Sequence, residues 1–230
     1  MEAAGANAAE DSREQMSAEL IHLVRHGEVH NPDRVLYERL PGFRLSADGR
    51  RMARAAAEHI RDLGRPVAAL LCSPLQRTQE SSEPFAELLG LEPVIDDRVI
   101  EPTNVFAGMR MSRALRMPWN WHHLRKPSLP SWGEPYAHVV ERMRAALDDA
   151  WDGRGPIAGR GEGDVVIVTH QAPIWLTHLS VAGLPLQHDP RTRRCALSSV
   201  TSFERHGDVW REVSYAEPAP LEDAVDVGAV

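Results

Sequence analysis

Leu23-Val24-Arg25-His26-Gly27-Glu28 closes a short apolar run that begins at Leu20. A run of that length, bounded by a glycine and polar residues, predicts a buried strand. The strand delivers Arg25 and His26 at its carboxyl end, where open α/β sheets place their ligand sites. Arginine offers a planar, permanently charged fork that matches phosphate oxygens. Imidazole is a competent nucleophile while one ring nitrogen stays unprotonated. Alone, these residues read equally well as a polar turn after a strand, so the rest of the chain has to decide.

Downstream, Val29 to Phe43 reads as an irregular loop punctuated by Asn31-Pro32 and Pro41-Gly42. Ser46 is placed to cap a helix that runs to Asp62 and is closed by Gly64 and Pro66. Ala68 to Leu71 predicts a second buried strand that empties into Cys72-Ser73-Pro74-Leu75-Gln76-Arg77-Thr78. There Ser73 is expected to cap a helix and Pro74 to occupy its first turn, with Arg77 turned back toward His26. A third strand is expected over Leu91 to Ile95, and Val99-Ile100-Glu101-Pro102 leads away from the sheet. Tyr136 to Asp152 has the apolar stripe of an amphipathic helix. Asp164 to Thr169 is a continuous β-branched run of the fully buried, parallel kind, and it ends at His170 before a helix through about Val181. Leu197 to Glu204 and Val209 to Tyr215 suit an antiparallel pair around His206-Gly207-Asp208.

The alternation of strands and helices predicts an α/β fold, a three-layer α/β/α sandwich around a mostly parallel central sheet. One domain is expected over 18–215, between a polar extension at 1–17 and an acidic tail at 216–230. Thr103 to Pro135 holds Trp119, Trp121, Trp132 and the pair His122-His123, and reads as an inserted lid over the site. The histidine pair lacks a carboxylate or cysteine at ligand spacing, so no metal site is expected.

With 230 residues and a formal net charge of -7, the chain has room for one well-buried core and no cation excess for nucleic acid. Its two cysteines are too few for a disulfide framework. No stretch has the apolar length of a membrane span, and the first residues lack a secretory pattern. These readings make a cytoplasmic enzyme the expectation, with no nucleic-acid or membrane partner; a homodimer stays open.

Arg25-His26, Arg77 and His170 thus converge on one sheet edge. In that combination, with Leu45-Ser46, Gly49, Ser73-Pro74-Leu75, Thr78 and Val168-Thr169-His170, the sequence resembles the histidine phosphatase superfamily, also called phosphoglycerate mutase-like, over about Leu20 to Tyr215. The resemblance implies a phosphohistidine on His26, with Arg25, Arg77 and His170 binding the phosphoryl oxygens. It makes Glu101 the general acid and later the base, Glu28 structural, and cofactors unnecessary, since two guanidiniums and an imidazolium supply the positive field. Candidate substrate contacts are Asn31, Gln171 next to His170, and Trp119 in the lid.

Two departures favour the phosphatase branch over the mutases. Pro32 stands six residues after His26, where mutases usually carry asparagine, and Glu101 is followed by Pro102-Thr103-Asn104-Val105 rather than Arg-His-Tyr-Gly. The expected activity is hydrolysis of a small phosphorylated metabolite. A phosphomutase is the alternative, and a silent phosphate-ligand-binding protein the third reading.

Overall fold

A computed structural model describes residues 18–114, 116–124 and 133–219. Six strands form one sheet in the order β3-β2-β4-β1-β5-β6: β1 Ile21–Arg25, β2 Val67–Cys72, β3 Pro93–Ile95, β4 Asp164–Thr169, β5 Val200–His206 and β6 Val209–Ala216. The first four run parallel, while β5 and β6 pair antiparallel on the β1 side. Four longer helices are α1 Ala47–Asp62, α2 Gln76–Leu89, α3 Tyr136–Trp151 and α4 Gln171–Val181.

Strand alternation divides the core into two layers. Ile21, Leu23, Ala69, Leu71, Val165 and Ile167 face α3 and α4, meeting Val139, Met143, Leu147, Ile174 and Leu179. Val24, Leu70, Cys72, Val166 and Val168 face the other way, onto Ala56, Ala57 and Ile60 of α1 and Phe85 of α2. Every residue of β4 is buried, as its unbroken β-branched run requires. The α/β sandwich is therefore the observed architecture.

Register sets the level of the site. Arg25 of β1 pairs with Thr169 of β4, and Cys72 of β2 pairs with Val168. The ladder continues one residue beyond each strand, with His26 N donating to Thr169 O at 3.0 Å and Ser73 N to Val168 O at 3.0 Å. Thus His26, Ser73 and His170 leave the sheet side by side.

Boundaries differ from the sequence reading at the third strand, at the start of α2, and at β5, which is Val200–His206 rather than Leu197 to Glu204. The third strand is only Pro93–Ile95, because α2 extends to Leu89 and is closed by Gly90 in the left-handed region. Helix α2 begins at Gln76 after Leu75, without a side-chain cap, so Ser73 and Pro74 lie outside it. Ser46 does cap α1, its Oγ accepting from Gly49 N at 2.9 Å. The 1–17 extension, Trp132 and residues 220–230 lie outside the described residues, as do the side chains of His122 and His123.

The segment after Thr103 contains a helical turn, Met111–Ala114, and a 3-10 helix, Pro118–Leu124. Phe106, Ala114 and Met111 pack on Leu36, and Leu36 exchanges backbone hydrogen bonds with Gly108 and Met109. This segment therefore braces the 29–43 loop from outside. No helix among the described residues is long and apolar enough to cross a membrane.

Behind His26 the β1–α1 connection touches α1 backbone to backbone. A Cβ on Gly49 would lie 2.0 Å from Glu28 O, and one on Gly27 2.2 Å from Gly49 O. Neither neighbour is a side chain that can swing aside. Gly49→Ala should therefore cost about 1–3 kcal/mol in urea unfolding, whereas Gly161→Ala, with open space around it, should leave the midpoint within experimental error.

Candidate active site

Four buried side chains meet at the carboxyl edge of the sheet: Arg25, His26, Arg77 and His170. The His26 and His170 rings stand 5.3 Å apart, edge to face. His26 Nδ1 donates to Gly27 O at 2.8 Å, which fixes the tautomer and leaves the Nε2 lone pair available. Arg77 Nη2 lies 3.1 Å from His170 Nδ1 and 2.7 Å from Glu38 O. A guanidinium only donates, so His170 Nδ1 accepts and its Nε2 carries the proton, donated to Ser73 Oγ at 2.7 Å. That bond explains why Ser73 does not cap α2. Arg25 Nη1 donates to Cys195 O at 2.6 Å, tying the strand end to the loop before β5.

Burial, then the positive charge of Arg77 and Arg25, holds His26 well below the ordinary histidine range. His170 is lowered well below that range for the same reasons, burial first and Arg77 next. Both shifts favour the neutral ring, at His170 against the expected imidazolium. The structure explains this by Arg77 itself, which donates into His170 Nδ1 and disfavours a second proton there.

Opposite these cations stands an acidic wall. Glu101 follows the 3-10 turn Asp97–Val99, with its Oε2 buried, making no hydrogen bond among the described residues, 3.7 Å from His170 Nδ1. Burial raises its carboxyl above the usual range against the pull of Arg77, Arg193 and Arg25. Arg39 Nε donates to the Glu101 carbonyl and Arg39 Nη2 to Glu134 Oε2 at 3.1 Å. A carboxyl with a raised pKa, an unprotonated ring nitrogen and two fixed guanidiniums around one cleft can together hold and transfer a phosphoryl group.

The pocket is lined by Arg25, His26, Leu36, Tyr37, Glu38, Arg77, Glu101 and Gln171. Four of the expected catalytic residues, Arg25, His26, Arg77 and Glu101, are thereby brought together with Gln171, and His170 stands directly behind. Asn31 is placed elsewhere: its side chain closes its own loop, donating to Val35 O at 2.8 Å and accepting from Val35 N at 3.2 Å. Trp119 is also outside the pocket, 67% exposed, as is Trp121 at 58%. In the tight 3-10 turn Asn120 points inward, donating to Ala114 O at 3.0 Å, which turns both tryptophans outward. Glu28 takes the structural place expected, its Oε2 accepting from Ser46 Oγ and its carbonyl from Ser46 N.

Sequence reasoning missed Tyr37, Glu38, Ser73 and Arg193. Tyr37 lies under the Arg77 guanidinium, 4.8 Å from Cζ to ring centroid. Arg193 is held by His188 Nε2 at 2.9 Å and Gln171 Oε1 at 3.2 Å. Only Ser73 carried a usable signal, since it sits at a strand end beside Arg77. Among the described residues, no three histidine, cysteine or carboxylate side chains stand where they could share a metal ion.

Fold and site together define a phosphoryl-handling α/β protein. The model of the histidine phosphatase superfamily (branch 1) matches residues 21–218, and the chain belongs to that family. It is 46% identical over 204 residues to an uncharacterized protein of Mycobacterium tuberculosis, covering 87% of this chain and 97% of the relative. A probable phosphoglycerate mutase of Yersinia enterocolitica is 29% identical over 192 residues, 78% of this chain and 83% of its own. Among solved structures, a putative alpha-ribazole-5'-P phosphatase of Escherichia coli superposes with a TM-score of 0.71 at 16% identity, covering 88% of this chain and 98% of that one.

The tautomers are directly checkable. In nitrogen-15 spectra of the ligand-free protein, His26 should appear protonated on Nδ1 only and His170 on Nε2 only. Both should stay neutral as the pH falls through the ordinary histidine value of about 6.5. A midpoint at or above that value for either ring contradicts the electrostatics described.

Proposed function

We propose that the protein is a phosphoric monoester hydrolase of the histidine acid type, acting on a small phosphorylated metabolite without a metal ion. The observation that carries this reading is the His26 tautomer: Nδ1–H is spent on Gly27 O, so Nε2 is the free nucleophile in a pocket shared with Arg25, Arg77 and Glu101. In the first step Nε2 attacks phosphorus in line, the P–N bond forms and the P–O ester bond breaks. The Glu101 carboxyl gives its proton to the departing oxygen. In the second step the Glu101 carboxylate takes a proton from water, whose oxygen attacks phosphorus as the P–N bond breaks. Phosphate leaves, and both residues return to their starting states.

Arg25 and Arg77 face the charge that accumulates on the phosphoryl oxygens. His170, neutral when the site is empty, gains a reason to take a second proton once a phosphoryl dianion offsets the guanidinium charge. Glu101 must begin protonated, which burial favours, and His26 must begin neutral, which burial and the arginines favour. The two requirements overlap between the lowered His26 value and the raised Glu101 value. The rate should decline as pH rises through the raised Glu101 value and as it falls through the lowered His26 value.

Phosphate release from 4-nitrophenyl phosphate in excess EDTA should persist in the wild type and drop at least about 10³-fold in His26→Ala. Loss of activity in EDTA, or its survival in that variant, sinks the reading. Glu101→Gln should cost about 10²–10⁴-fold on an alkyl phosphate and much less on the aryl ester, whose phenolate leaves without a proton. A phosphomutase would instead show a stable phosphoenzyme and little net phosphate release. A silent binding protein would show neither.

A further inference from the structure

Glu38 is a pocket carboxyl that the mechanism above leaves idle, and it is an odd one for an anion site. It is donated by the 29–43 loop in a left-handed backbone conformation, φ +33°, that a residue with a side chain seldom adopts. Two contacts hold it there, and a third steadies the partner of one of them. Its carbonyl accepts from Arg77 Nη2 at 2.7 Å, its Oε1 accepts from Asn104 Nδ2 at 3.1 Å, and the Asn104 backbone is in turn bridged to Gly133. Strain of this kind persists only where surrounding contacts over-determine it. Here they aim a second carboxyl into the same cleft as Glu101.

We propose that Glu38 is a specificity-determining residue: with Glu101 it makes an acidic end of the pocket that accepts phosphomonoesters whose alcohol part carries hydrogen-bonding hydroxyls and rejects those with a carboxylate near the ester. This rests on the phosphatase reading for its orientation, because the group that protonates the leaving oxygen must lie beside the alcohol part of the substrate. The charges that face Glu38 are Glu101, Arg77 and Arg193, with Asn104 as its neutral donor. Burial, then the nearby Glu101, raises Glu38 to about 7. Glu38 thus gains negative charge as pH rises through about 7. Arg193 is already engaged by His188 and Gln171, and Arg77 by His170 and the Glu38 carbonyl. A hydroxyl can donate to the Glu38 carboxylate, whereas a substrate carboxylate placed beside it meets like charge in a buried cleft.

Glycerol 3-phosphate and 3-phosphoglycerate are a matched pair of probes, since a CH2OH in one replaces a carboxylate in the other. Their affinities can be read by calorimetry on the His26→Ala protein, which separates binding from turnover. Glycerol 3-phosphate should bind at least about tenfold tighter, and adding Glu38→Gln should bring the ratio close to one, chiefly by tightening 3-phosphoglycerate. A ratio near one or reversed before that change, a ratio untouched by it, or failure of both esters to bind overturns the inference. A reversed ratio would mean that Arg193 captures the carboxylate.

The same ratio measured between pH 8 and pH 5.5 without altering Glu38 needs no second variant. It should shrink as pH falls, because Glu38 takes up a proton while the probe carboxylate stays ionised; a flat ratio counts against the inference. Selective binding with no hydrolysis by the unaltered protein would sink the phosphatase reading and leave the Glu38 assignment standing. Hydrolysis with no selectivity would do the reverse.

Discussion

Everything at the site depends on holding two guanidiniums out of water. Arg25 and Arg77 are each about 1% exposed, a placement that is costly for a permanent charge unless its donors are met. The chain meets Arg77 with a carbonyl, an imidazole nitrogen and an aromatic face rather than with an ion-pairing carboxylate. Such partners take up the Nη2 donor, leave Arg77 Nε buried without a hydrogen bond among the described residues, and leave the charge uncancelled. Burial, and after it the uncancelled charge, lowers both imidazoles well below the ordinary histidine range, and the same charge pulls on the two carboxyls opposite. Those carboxyls would ionise readily but for their own burial, which outweighs the attraction at Glu101. The site is a standoff between desolvation and Coulomb attraction, and its protonation state follows from which wins at each group.

The sheet side of this arrangement was legible in the sequence because its causes are local. Apolar runs of four to six residues, each closed by a polar group, specify buried parallel strands. The residue that follows each run is then committed to the same edge. Register does the rest: Arg25 opposite Thr169 and Cys72 opposite Val168 bring His26, Ser73 and His170 level. A helix cap such as Ser46 is equally local and equally readable.

What stayed hidden depends on partners distant in sequence. Ser73 has the composition of a helix cap, but His170, ninety-seven residues away, competes for its oxygen and wins. Trp119 has the size of a substrate contact, yet size does not say which way a short 3-10 turn faces, and Asn120 took the inward position. Asn31 is one residue before Pro32, the position at which mutases usually carry asparagine, and its loop uses it for closure instead. Glu38 and Tyr37 sit in an irregular stretch whose path is set by packing against Phe106 and Met109, which no periodicity encodes.

The two ends of the pocket therefore rest on different foundations. The cationic end stands on three strand termini whose positions are fixed by the ladder and the two core layers, so a shift there would disturb the whole sheet. The acidic end is built from the 29–43 loop, the turn before Glu101 and the braces Asn104, Arg39 and Arg193. Loops of this kind can be re-aimed by changing a few surface contacts while the core stays intact. The chemistry of the reacting group is thus tied to the fold, while the fit to the rest of the molecule is tied to the loops. A difference in substrate between two proteins sharing this sheet should accordingly be sought at positions such as Glu38 and Arg193. Arg25, Arg77 and the paired imidazoles are held too firmly by the fold to serve that purpose.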